Sequence, residues 1–282
     1  MSTLPVHYES FLVGNITLAE DGPSFAYDPR WPKTRGAFPV SLGMPLDGGP
    51  FASGTLLPWL ANLLPEEGNL LAIGRNLGVS PQDTIGILER IGRDTAGALT
   101  IGRLREGEVP GYRPIPGEAG LERIIDELPA KPFLAGEDGV SMSLAGAQDK
   151  LPVALMADGT LGIPVNGAPS THILKPDARR RLWGSVQNEA LCMTLSALCG
   201  LKTAKVAIGK AGERSYLLVT RYERGAERAS PSHPPGRLLP SARQATGGEV
   251  RAEPLGRQRV TLCGHVRGGG HSPDGGRSHP AA

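Results

Sequence analysis

Cysteine is scarce in this 282-residue chain: there are three, with no CxxC pair and no Cys/His spacing suited to zinc. That sets aside a disulfide framework and a metal module. Cys192 and Cys199 share one expected helix face seven residues apart and read as core packing, while Cys263 stands alone. There is no signal peptide and no run of about 18 apolar residues, so a cytoplasmic protein with no membrane contact is expected. The formal charge of +2 is too small to argue for nucleic acid or membrane. Aromatics at 5% and apolar residues at 39% are low, against 39 Gly and 26 Pro. Such a balance predicts a folded part joined to a part that is not. The shortfall is concentrated, because residues 225–282 contain no Phe, Tyr, Trp, Ile or Lys.

Residues 1–60 alternate short apolar runs with Gly/Pro turns, the pattern of a small β-rich subdomain. Helices are expected over Thr55–Leu64, over Pro81–Ile91 with Ser80 as N-cap, and over Leu121–Leu128. Arg93 and Asp94, between a helix and a Gly-rich turn, are expected to cap and position that loop rather than to act in catalysis. Leu104–Pro116 reads as a linker, with a domain boundary near residue 110.

The most informative stretch is Ser141–Asp177. A small-residue loop, Leu144-Ala145-Gly146-Ala147-Gln148, leads into a strand, and Asp158-Gly159 is a two-residue hairpin turn. After a second strand, Thr171–Lys175 is a third, with a lysine at its end. Ser185 can N-cap the following helix, whose apolar positions Leu191, Cys192, Leu195, Leu198 and Cys199 fall on one face, with Gly200 as the stop. Val206–Ile208 and Ser215–Thr220 then read as two strands. Three strands, the last with a lysine, then a helix with Glu189 in its first turn, then two strands is the order of a protein-kinase N-lobe. Lysine at a strand end is usually solvated; here the order of elements argues that Lys175 pairs with Glu189.

The strings SLAGAQDKLPVAL, THILKPD, NEALCM and TRYERG resemble the HipA family of serine/threonine kinases, the toxin half of HipA/HipB-type toxin–antitoxin pairs. Asn62-Leu63-Leu64-Pro65-Glu66 and Ile91–Leu99 agree, and the resemblance covers roughly residues 8–224. It implies an α+β fold: a β-rich N-terminal subdomain (1–110), then a protein-kinase-like N-lobe (111–224). It also implies ATP and Mg²⁺ as ligands, with Ala145, Gly146, Ala147, Gln148, Asp149 and Lys150 over the phosphates. Lys175 would contact them, Glu189 would orient Lys175, and the hinge Thr220, Arg221 and Tyr222 would hold adenine. Asp149 replaces the family's usual glutamate, and Thr220 stands where Glu is common. Lys150 reads as a loop-stabilising lysine. Ser143 is either a strand hydroxyl satisfied by a backbone group or, by resemblance, an autophosphorylation site whose modification would disorder the loop. His172 reads as a satisfied edge histidine.

After Arg224 the character of the chain changes. No periodic apolar face remains, and residues 225–282 are expected to be disordered. The D-x-H-x-x-N string and later Y-D that would supply a kinase base and metal-binding carboxylates are not found, so no catalytic or metal-binding residue is assigned and the C-lobe is expected to be absent. His233–Glu253 can be encoded so that reading one base later gives THQDDFCQALGKPPEVKYEP, close to the family's text after the hinge. A frameshift between about Arg224 and His233 follows; a natural basic tail with an RNA-binding or anchoring role is the alternative. The expected activity is transfer of the ATP γ-phosphate to Ser/Thr of a protein, an aminoacyl-tRNA synthetase or another translation component, here lost by truncation. The expected partner is a HipB-like helix-turn-helix antitoxin, with operator DNA reached only through it. A non-catalytic antitoxin-binding module and an unstable relic are the competing readings.

Overall fold

The computed structural model describes residues 2–102, 107–178, 184–222 and 224. The expectations for residues 225–282 lie outside the described residues.

Two antiparallel sheets organise the chain. The first has the order β3-β2-β1-β4, built from β1 (Ser2–Tyr8), β2 (Phe11–Ala19), β3 (Gly22–Tyr27) and β4 (Leu99–Ile101). Leu4 and Val6 of β1, Ile16 of β2 and Phe25 of β3 share the buried face, and Val13, at the register shift opposite Val6 and His7, is buried as well. Of the helices that share its core, α1 (Ser53–Ala61) packs against β3 and α3 (Thr84–Ile91), and α2 (Glu67–Leu77) packs against α3. The Asp83 carboxylate accepts from the Gly86 N–H at 2.9 Å and so caps α3, the role expected of Ser80. The sequence reading contains no counterpart to α2. Gly68 and Gly74 lower its intrinsic propensity, and burial of Ala72 and Ile73, with Leu70 and Leu77 packed against the core, stabilises it.

The second sheet has the order β5-β7-β6-β8-β10-β9, from β5 (Gly111–Pro114), β6 (Leu151–Leu155), β7 (Leu161–Val165), β8 (His172–Pro176), β9 (Val206–Ala211) and β10 (Arg214–Thr220). The expected linker therefore holds a strand, because β5 pairs along β7 from Gly111↔Val165 to Pro114↔Gly162. The helix α4 (Gly117–Glu127) buries Leu121 and Ile125 in the core, and its Glu122 accepts from the Glu213 N–H in the β9–β10 turn. One apolar core is continuous from Val6, Phe25 and Leu60 through Ile87 and Phe133 to Leu151, Val153 and Leu174. Among the described residues, no helix is long and apolar enough to cross a membrane.

The helix α5 (Ser185–Leu198) lies on the other face of the second sheet and buries only Val186 and Ala190, against Leu217. The expected core face is the exposed one. Leu191 is 66% and Leu198 81% exposed, and Cys192 and Cys199 are exposed too. The reason is rotational. At about 100° per residue, Leu191 and Leu198 lie roughly opposite Glu189, and Glu189 is held to the sheet by Lys175. That polar pair sets the helix's rotation over its larger apolar side chains.

Candidate functional site

Lys175 lies near the end of β8, one position beyond Leu174, which is wholly buried in the main core. Alternation therefore turns Lys175 to the α5 side, where its Nζ lies 2.5 Å from Glu189 Oε1. Both side chains are partly covered, at 23% and 31% exposure, so the pair is more than a fully solvated bridge. The ion pair expected between these two residues is present.

The helix start differs from expectation. Gly184, at φ 74°, occupies the N-cap position, and Ser185 is the first helical residue. The cap comes from Asp177 at the end of the THILKPD string. Its Oδ1 accepts the Ser185 N–H at 2.9 Å and the Ser185 hydroxyl at 2.6 Å. Burial pushes the Asp177 carboxyl up, but the Ser185 hydroxyl and the N–H groups of Ser185, Gly184 and Val186 outweigh it and hold the group below the usual carboxylate range. One carboxylate thus ties the strand carrying Lys175 to the helix carrying Glu189. Asp177→Ala should lower the midpoint of urea unfolding, with a loss of about 1 kcal/mol, the usual worth of an N-cap. Because the folded-state value is depressed, this contribution is fully present above the unfolded value and fades as pH falls below about 4. Unfolding curves of the two proteins should therefore converge on acidification; a gap that widens there would contradict the assignment.

The pairing Leu151↔Leu174 brings the end of the loop 145–150 beside Lys175. Ala145 and Ala147 are exposed while Gly146, Gln148 and Asp149 are half-buried. Gly146 has φ +108°, a backbone conformation that favours glycine, and a Cβ there would come within 2.8 Å of Lys150 Nζ and displace the end of that side chain. Lys150 reaches back to donate to the Ala145 carbonyl and closes the loop, the stabilising role read for it. Burial first, then the Lys175 ammonium, hold the Lys150 ammonium below its ordinary value, against the pull of Glu66, Asp149 and Glu189. Burial likewise pushes the Asp149 carboxyl up, while Arg214 and Lys150 oppose it. The loop is also fastened from the N-terminal side, where Pro65 and Gly146 form a parallel bridge.

Ser143 is wholly buried; its hydroxyl donates to the Leu63 carbonyl at 2.7 Å and its N–H to the Asp94 carbonyl at 3.0 Å. The satisfied-hydroxyl alternative describes this arrangement, and any modification requires the loop to leave first. His172 shares a hydrogen bond with the Thr171 hydroxyl at 2.8 Å, and burial lowers its pKa.

At the hinge, Thr220 pairs with His172 and so sits three residues from Lys175 along the sheet, about 10 Å. Tyr222 is 89% exposed. In Arg221, part of the segment assigned by resemblance to adenine, the side chain is wholly buried and the N–H donates to the Thr171 carbonyl at 3.0 Å. Its guanidinium donates to Asp94 Oδ1 at 3.0 Å, to the Ser170 hydroxyl at 2.7 Å and to the Thr95 carbonyl at 2.8 Å. Asp94 is therefore a structural anchor, which the sequence signalled only as a charged residue before a Gly-rich turn. Its partners, Ser170 and Arg224, carried no local signal at all.

These features define a class: a mixed α/β protein of antiparallel sheets, with a strand lysine bonded to a helix glutamate beside a closed, glycine-bearing loop. Residues 4–102 match the family model of the HipA N-terminal domain, and residues 142–247 that of the HipA-like C-terminal domain. The second match runs past Arg224, where the sequence reading ends the resemblance. The chain is 40% identical over 228 residues to "Putative kinase Y4mE" of Sinorhizobium fredii, covering 78% of this chain and 54% of that protein. It is 32% identical over 234 residues to the serine/threonine-protein kinase toxin HipA of Shewanella oneidensis, covering 79% of this chain and 50% of the toxin. A solved structure of Shewanella oneidensis HipA, with HipB and its operator DNA, matches with a TM-score of 0.64 at 29% identity, over 82% of this chain and 53% of that one. This chain belongs to the HipA family. It spans about half the length of the curated relatives it matches.

Proposed function

We propose that this chain carries the ATP-holding part of a HipA-type serine/threonine kinase, with a subdomain over 1–110 and a kinase-like N-lobe over 111–224. The observation that carries the reading is the Lys175–Glu189 bond at 2.5 Å beside the loop closed by Lys150. Such a pair fixes an ammonium where phosphate charge must be neutralised, and the exposure of Ala145 and Ala147 lets a phosphate approach the loop. Glu189 orients Lys175, while Thr220 and Tyr222 border the base. The span of about 10 Å from Thr220 to Lys175 suits a nucleotide lying along β8 and β10.

Mg²⁺ is the other ligand the resemblance implies. Among the described residues no group of three or more His, Cys, Asp or Glu stands together as ligands, so no step is routed through a metal. No D-x-H-x-x-N string occurs in the 282 residues, so this chain by itself binds ATP without transferring its γ-phosphate. The family activity toward a protein Ser/Thr, such as that of an aminoacyl-tRNA synthetase, would need the catalytic base as well. The test is a calorimetric titration with ATP beside a transfer assay with labelled ATP, Mg²⁺ and lysate. Saturable binding without label transfer is expected. No binding overturns the site, and transfer that depends on Lys175 overturns the inactivity.

A second reading is favoured by the structural match to a HipA bound with HipB and operator DNA. By that analogy the chain docks a HipB-like helix-turn-helix antitoxin without chemistry and meets DNA only through it. A frame break between Arg224 and His233 accounts for the tail's composition, and DNA sequence across codons 224–234 tests it.

A further inference from the structure

Asp94 gathers three segments that border the proposed nucleotide site. Its Oδ1 accepts from Arg221 at 3.0 Å and from Arg224 Nη2 at 2.5 Å, and its Oδ2 accepts the Ser170 N–H at 3.1 Å. Its carbonyl accepts the Ser143 N–H at 3.0 Å, below the phosphate loop. Arg221 directly follows β10, Ser170 and Thr171 lead into the strand of Lys175, and Asp94 itself belongs to the segment matched by the N-terminal family model. Tyr112 lies at the same junction, its hydroxyl donating to the Pro169 carbonyl at 3.0 Å. The side chains of Arg221 and Asp94 are 0% and 1% exposed.

A buried ion pair is a weak source of stability compared with apolar packing, but it tolerates one geometry. Here that geometry fixes the point where the chain leaves β10 and enters the hinge. We propose that Asp94 is a positioning residue through which the N-terminal segment sets the base-holding end of the nucleotide site. It holds Arg221, and Arg221 in turn holds Thr220 opposite His172 and sets the path of Tyr222 beyond β10. The proposal rests on the reading of 220–222 as the hinge. It assigns base recognition, and not phosphate binding, to control from the N-terminal segment.

The experiment compares ATP, GTP and inorganic tripolyphosphate as ligands of the full 282-residue chain, wild type, Asp94→Asn and Ser170→Ala. The wild type should bind ATP at least about tenfold more tightly than tripolyphosphate, the excess being the contribution of the base. Asp94→Asn should lose most of that excess and any preference for ATP over GTP, while its affinity for tripolyphosphate stays within about threefold of wild type. General loosening would weaken all three ligands together and would overturn the proposal. So would a folded Asp94→Asn protein, checked by circular dichroism, that keeps the wild-type preference. If that variant does not fold, Ser170→Ala decides, since it removes only one bond to Arg221: a partial loss of the base preference supports the proposal, and an unchanged one overturns it. A wild type that binds tripolyphosphate as tightly as ATP would sink the hinge reading itself, and the proposal with it. A wild type that binds none of the three would remove the whole nucleotide site.

Discussion

Replacing Asp94 with alanine is expected to lower the unfolding free energy by about 3–5 kcal/mol, the cost of removing one member of a buried ion pair. Arg221 is the group left behind. Its side chain is fully covered and cannot swing out to water, whereas Arg224 keeps 13% exposure. The Ser170 hydroxyl and the Thr95 carbonyl, both neutral acceptors, would still accept from Arg221, but the charge of Asp94 would be gone. Ser170 would lose the acceptor for its N–H as well. Equilibrium urea unfolding followed by far-UV circular dichroism measures the loss. A double variant, Asp94→Leu with Arg221→Met, should regain a large part of it, because exchanging both charges for apolar groups avoids the uncompensated one. A single-variant loss below about 1 kcal/mol would mean that water reaches the pair and that it behaves as a surface bridge.

Lys175→Met is expected to weaken ATP binding by about 30- to 150-fold, corresponding to about 2–3 kcal/mol for a hydrogen bond to a charged group in a partly covered site. Methionine keeps the aliphatic length of the side chain and removes the ammonium that Glu189 orients. The fold should tolerate the exchange, since Leu174 and Leu217, not Lys175, carry the packing on either face of the sheet. Glu189→Gln should show a smaller decrease, because it weakens orientation while leaving the positive charge. Calorimetric titration of the three proteins orders the effects. Equal affinity in Lys175→Met and wild type would place the phosphates elsewhere and end the kinase-like reading of this site.

The second sheet was legible wherever local chemistry is decisive. Asp158-Gly159 can hardly be anything but a tight turn, and it joins β6 to β7; Gly212, at φ +55°, turns β9 into β10. The strand β5 was not legible, because four residues ending in proline carry no pattern until β7 lies beside them. The helix α2 was hidden by its two glycines. The rotation of α5 was misjudged for a related reason: apolar periodicity ranks faces by side-chain size, and here an ion pair and a remote cap outweigh it.

The succession of elements from β6 to β10, the lysine–glutamate pair and the glycine-bearing loop were determined by the amino-acid sequence alone, since alternation, turn chemistry and helix spacing act over a few residues and are written consecutively. Which carboxylate caps α5, which face of that helix is covered and what Arg221 holds were decided only by tertiary structure. Asp94 and Arg221 are separated by 127 positions, and Ser143 bonds to Leu63 across 80. Contacts over such distances arise when burial removes water from groups that must then find one another, and no local pattern encodes that choice.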